Sequence, residues 1–208
     1  MLVKGKHLIL PIILMVLFAL TRWPGLHLPL NFSAAYALMF CAGVYFPKRL
    51  AWWLPFATML ATDLLLNRFY YHTALFGPKM IGNYLAYAAL VWLGQSLGPK
   101  LSFLKLLAGG LLGALLFYFV TNTFSWLINP YHNPEYTKTL AGWITALTTG
   151  THGWPETWQF FRNTLSSTGL FTGLFVGAMK LLEALEPEEE EDEEAEEAPQ
   201  KEPEEAKA

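Results

Sequence analysis

The apolar positions of this chain fall in long runs broken by short polar punctuation. A helix needs about 20 apolar residues to cross a bilayer, or about 17 when its flanking side chains reach the interface. Six runs come close to that length, at 7–20, 31–46, 50–66, 79–97, 103–120 and 158–182. The breaks between them are turn chemistry: Pro24 and Pro29, then Pro47-Lys48-Arg49, then a polar aromatic loop from Asn67 to His72 closed by Gly77-Pro78, then Gly98-Pro99-Lys100. The stretch between the fifth and sixth runs is mixed. Asn129-Pro130 and Asn133-Pro134 are turn signals, and within 136–149 Leu140, Trp143, Ile144 and Leu147 recur at helical spacing among Thr, Gly and Ala. That pattern predicts a short interfacial or re-entrant helix rather than a seventh span. The expected architecture is an all-α, polytopic membrane bundle of about six transmembrane helices plus this short helix.

Charge sharpens the picture. The net charge of −3 conceals two opposite regions: residues 1–182 carry 12 Lys and Arg against Asp63, Glu135 and Glu156, while residues 183–208 carry 14 acids against Lys201 and Lys207. A body with three acids and all eight Trp cannot present an ordinary soluble surface. Scattered single basic residues also exclude a nucleic-acid module. The domain division is a transmembrane helical domain at 1–183 and an acidic tail at 184–208. A run such as Glu188 to Glu194 self-repels and buries no core, so the tail is expected to be disordered. A single cysteine, Cys41, excludes an intramolecular disulfide. Lys4 and Lys6 before an apolar run resemble a signal peptide, but Arg22-Trp23-Pro24 follows without a cleavage site, which favours a retained first helix. Counting Lys and Arg in short loops gives seven on the N-terminal side of the membrane and five on the other, placing both termini in the cytoplasm.

Small residues recur four apart, as they do where membrane helices approach closely. Gly169, Gly173 and Gly177 form one stripe, Gly109 and Gly113 another, and Ser33, Ala37 and Cys41 a third; Gly82, Ala86 and Gly94 give a thinner one. These are seams within one bundle or, for the Gly169 stripe, a docking face for a membrane-protein partner.

Asp63 is the only acid inside an expected span, and an intramembrane carboxylate marks a cavity or a charged partner. Its neighbours suggest Asn67, four residues on, as first hydrogen-bond partner, or Arg68 as ion pair at the interface. Asn122 and Trp126 share a face four residues apart, an amide and an indole N–H that suit a polar planar ligand; the alternative for Trp126 is an interfacial anchor. Further single polar residues enter spans: Asn31 and Ser33, Asn83 with Tyr84 and Tyr87, and Asn163 with Ser166 and Ser167, which collected at one membrane face could line a pocket of amides, hydroxyls and aromatics. The expected ligand-binding set is Asp63, Asn67, Asn122, Trp126, Asn31 and Asn83. No metal-ligand spacing, phosphate loop or hydrolase motif is present, so neither a cofactor nor an enzymatic activity is expected.

The stretches Asn31-Phe32-Ser33-Ala34, Ala42-Gly43-Val44-Tyr45-Phe46 and Leu54-Pro55 through Thr62-Asp63-Leu64 resemble a family of small bacterial inner-membrane proteins of unknown function. Thr121-Asn122 with Trp126, and Trp158-Gln159-Phe160-Phe161-Arg162-Asn163-Thr164-Leu165, fit the same family. More distantly, six short helices with an Asp closing the third are similar to the substrate-binding S components of energy-coupling-factor transporters. That likeness implies a pocket near the outer face for a small molecule. The Ala-x-x-x-Ala motif through which those proteins dock is missing from the first helix, Leu10 to Ala19. The functional expectation is therefore a bacterial inner-membrane protein that binds or transports a small molecule. The alternative is a non-transporting scaffold for cell-envelope assembly.

Overall fold

The structure is a computed structural model, and residues 9–185 are described. Residues 186–208 of the acidic tail and the first two lysines lie outside them, while Ala184 and Leu185, expected in the tail, end the last helix. Among the described residues there are seven α-helices and no strands: α1 (Ile9–Leu20), α2 (Ala35–Tyr45), α3 (Lys48–Phe69), α4 (Pro78–Leu97), α5 (Phe103–Ile128), α6 (Leu140–Leu147) and α7 (Thr157–Leu185). A single 3₁₀ turn, Pro24–Leu26, sits in the connection from α1 to α2.

The helix ends follow the punctuation. Pro78 opens α4 at a position where no N–H is needed, and Gly98 closes it with φ +70°. The Thr139 hydroxyl accepts from the Gly142 amide at 3.2 Å and starts α6, shorter than the expected 136–149 because Tyr136 to Lys138 remain loop. The fifth helix runs to Ile128, well past the expected end at Val120. The polar cluster Thr121 to Trp126 is helical, with the Thr121 hydroxyl and Asn122 amide bonded back to Phe117 and Tyr118 carbonyls at 2.8 Å. Asn129 then stops it in the left-handed region (φ +42°), a conformation Asn tolerates better than most residues. Its amide group exchanges bonds with the Asn133 backbone at 2.9 and 3.0 Å.

The expectation of six membrane spans is corrected by the helices themselves. Two of them, α5 and α7, are both long and apolar enough to cross a membrane. α3 and α4 have 22 and 20 residues, but α3 carries Lys48, Arg49, Asp63, Asn67 and Arg68, and α4 carries Lys79, Asn83 and Gln95. α1 and α2 have 12 and 11 described residues, about 16–18 Å at 1.5 Å per residue.

α2 is the centre of the bundle, with every residue from Ala35 to Tyr45 buried. It packs against α1, α3, α4, α5 and α7. Its crossing with α4 is the closest approach: a Cβ on Gly43 would lie 2.3 Å from the Val91 carbonyl oxygen, and one on Gly94 would lie 2.2 Å from that of Phe40. Only glycine fits two backbones that close. Gly109 and Gly110 serve α5 likewise, the first against Phe40 and Leu97, the second against Thr172. The Gly169, Gly173 and Gly177 stripe runs along α5 of the same chain. There an added Cβ would stay 3.2–3.9 Å from Leu111, Leu107 and Phe103.

The buried Ser and Thr side chains among the described residues (Thr157, Thr164, Ser167, Thr168 and Thr172) all belong to α7. Thr164, Ser167 and Thr168 donate to carbonyls three or four residues back on their own helix, which offsets the cost of burial.

Candidate functional site

The long helices alternate in direction, so α1, α3 and α5 finish at the end where α2, α4 and α7 begin. At the opposite end the Gln95 amide reaches the Lys48 carbonyl and the Lys180 ammonium reaches that of Pro99. The first end is hollow. It holds two adjoining half-open pockets of about 490 and 640 Å³, the first and second lobes of a shared cavity mouth. Arg22, Asn31, Lys79 and Asn83 line both lobes and form the boundary between them.

The first lobe is floored by aromatic rings on three helices. Tyr36 of α2 lies 4.5 Å (ring centroids) from Phe117 of α5, and Tyr87 of α4 stacks on the same Phe117 at 5.6 Å. Asn122, Tyr118 and Thr121 form its α5 wall, and Thr157, Phe161 and Thr164 its α7 wall. The loops after α5 and α6 supply Tyr131, Asn133, Tyr136, Thr151 and Trp154. Those two loops are clasped together, since Glu135 accepts from the His152 backbone N–H at 3.0 Å and contacts its ring Nδ1 at 2.7 Å. Chiefly the His152 N–H, with bonds from its own backbone and the imidazole, pulls the Glu135 carboxyl down to about 2. Burial raises the neighbouring Tyr136 phenol, so it stays protonated.

The second lobe is built from the α1–α2 connection, the end of α3 and the start of α4. Asp63 lines it, and both carboxylate oxygens are engaged: Oδ1 with the Arg22 guanidinium, Oδ2 accepting from the Tyr84 hydroxyl at 3.0 Å. Arg22 also donates to Thr62 Oγ1 and the Met59 carbonyl oxygen, so α1's exit is tied to one turn of α3.

Five of the six expected site residues line the cavity. Asn31 and Asn83 border both lobes, Asp63 and Asn67 the second, Asn122 the first. Trp126 does not reach it: its indole N–H donates to the Thr137 carbonyl at 2.7 Å, and Lys138 Nζ lies 5.4 Å over its ring. The expected shared face of Asn122 and Trp126 therefore splits, the amide turning to the cavity and the indole to the α5–α6 loop. Two further expectations are corrected. Asn67 bonds the Leu75 carbonyl at 3.1 Å instead of Asp63. The partner of Asp63 is Arg22, because Arg68, five residues on, projects about 140° around the helix and is exposed.

Sequence reasoning missed Arg22, Lys79, Tyr36 and Tyr118, whereas Tyr87 does line the first lobe and Tyr84 bonds Asp63. Arg22 carried a usable signal, since the one acid within an expected span calls for a cation from another segment. Tyr36 and Tyr118 carried none, because apolar helices bury tyrosine without any function.

No curated protein and no solved structure matches this chain. Residues 4–189 match the family of unknown function DUF6580, which is most of the 208 residues; the chain belongs to that family.

Proposed function

We propose that this is a multi-pass protein of the bacterial inner membrane, with α5 and α7 crossing the bilayer, whose hollow end binds a small molecule from the outer face. The observation that carries the reading is the convergence of Asn31, Asp63, Asn83 and Asn122, from four separate segments, on one cavity. Polar groups placed together in an otherwise apolar bundle need a use, and a ligand site is the ordinary one.

Support for the membrane comes from the flanks. Leu85, Trp92, Leu104, Leu112, Leu115, Leu170 and Leu174 are all exposed on α4, α5 and α7, an outward apolar surface that water would disfavour. The shortness of α2 fits the same reading, since its ends are covered by protein and need no lipid-facing hydrogen bonds. Binding without catalysis, in the manner of a transporter's substrate-capturing component, suits a cavity lined by amides, hydroxyls and rings.

Native mass spectrometry of the detergent-purified full chain tests this. A stoichiometric adduct of metabolite mass is expected, lost in Asn83→Ala and Asn122→Ala. Repeated absence of any adduct, with no thermal stabilisation across a metabolite panel, would replace the binding protein with a membrane scaffold.

A further inference from the structure

Charge around the cavity is uneven. The first lobe is bordered by two cations, Arg22 and Lys79, and by no acid; the second adds His27 and a single acid, Asp63. Asp63 is committed to Arg22 and Tyr84. Lys79, in contrast, forms no ion pair among the described residues, and its side chain is exposed at the junction of the lobes. Its position adds to the imbalance. It follows Pro78 in the first turn of α4, where the free backbone N–H groups already give positive potential, and that turn contains no acid. A cation at this end of a helix is unfavourable unless an anion joins it. Asn31 and Asn83 stand at the same junction with amide donors, and the floor of Tyr87 stacked on Phe117, with Tyr36 tilted against it, lies in the lobe without an acid.

We propose that the cavity takes a small organic anion, a planar ring bearing one carboxylate, with Lys79 pairing the carboxylate between the lobes and the ring resting on the floor of the first. The proposal rests on the cavity being a binding site. A cationic ring would meet Lys79 with no acid to offset it, and a neutral amide would leave that charge unpaired.

The test measures thermal stabilisation and intrinsic tryptophan fluorescence of the purified full chain against matched pairs: benzoate, nicotinate and indole-3-acetate, each beside its amide, with tryptamine as the cation. At least one acid is expected to bind while its amide binds about tenfold more weakly or not at all, the loss of one charge-assisted hydrogen bond. Lys79→Gln should weaken that acid by a similar factor, Lys79→Arg should keep it, and Lys79→Glu should abolish it. Exposure of Lys79 means these variants fold, which circular dichroism checks. Amide or tryptamine binding as tightly as the acid, or an unchanged Lys79→Gln, overturns the anion assignment and leaves the binding site standing. No binding by any compound, together with no adduct in native mass spectrometry, overturns both.

Discussion

Arg22 and Asp63, 41 positions apart, form an ion pair at the boundary of the two cavity lobes, and Tyr84 donates to the carboxylate oxygen that Arg22 does not hold. Three segments are thereby joined at one point: the exit of α1, the last turns of α3 and the second turn of α4. Because Arg22 borders both lobes, the pair is both a fastener and a wall. Breaking a fully buried pair by removing one partner costs about 3–5 kcal/mol. Here the side chains keep 17% and 16% exposure, so Asp63→Asn or Arg22→Met should cost roughly 2 kcal/mol. The double variant should recover part of that loss, as a double-mutant cycle on melting temperature would show. Additive losses would mean the two do not interact.

The glycines divide into two kinds. Gly94→Ala places a Cβ against the Phe40 carbonyl oxygen and must move α2 or α4, whereas Gly177→Ala meets only the far end of Phe103 at 3.8 Å. The first should lower stability by about 2 kcal/mol or more through overpacking, and the second should change it by less than about 0.5 kcal/mol. Thermal unfolding in one detergent compares them directly.

Asn122 and Trp126 should separate in function although they share a helix and a spacing. Trp126→Phe removes the bond to the Thr137 carbonyl, an expected stability loss of about 1 kcal/mol, and leaves ligand affinity unchanged. Asn122→Ala removes a cavity-lining amide and should weaken ligand binding with little change in melting temperature. Isothermal titration with the ligand found by mass spectrometry reads both.

The Glu135–His152 clasp gives a pH dependence of definite sign. The folded carboxyl titrates near 2, below its ordinary value of 4.5, so the clasp stabilises the loops fully above about 4.5 and is lost as pH falls through about 2. Glu135→Gln should mimic the acid state at neutral pH. Limited proteolysis between α5 and α7 should then cut the variant at pH 7 faster than the parent, and the difference should vanish near pH 2.

Much of this molecule was legible in the order of its residues. Runs of apolar side chains separated by Gly, Pro and Asn place α4 within one residue of its expected start, because capping and proline chemistry act over a single turn. Asp63 stands out because an isolated carboxylate in an apolar helix is costly wherever the helix goes. The charge division between body and tail needs no structure at all. The length of α5 differs from the expected one for a reason equally local: Thr121 and Asn122 lower hydropathy but remain helical by bonding their own backbone.

What the tertiary structure alone decided is which way each side chain faces. Helical spacing puts Asn122 and Trp126 on one face, yet the loop from Asn129 to Thr139 folds back and claims the indole. Spacing offers Asp63 the nearby Asn67 and Arg68, yet the packing of α1 against α3 delivers Arg22 from 41 positions away. The central place of α2 is likewise decided by packing, since five neighbours wrap its eleven residues and bury every one of them. Local sequence fixes backbone conformation because those forces act within a turn or two. Partnership in a cavity depends on how helices rotate and cross, and that is settled only when every other helix is in place.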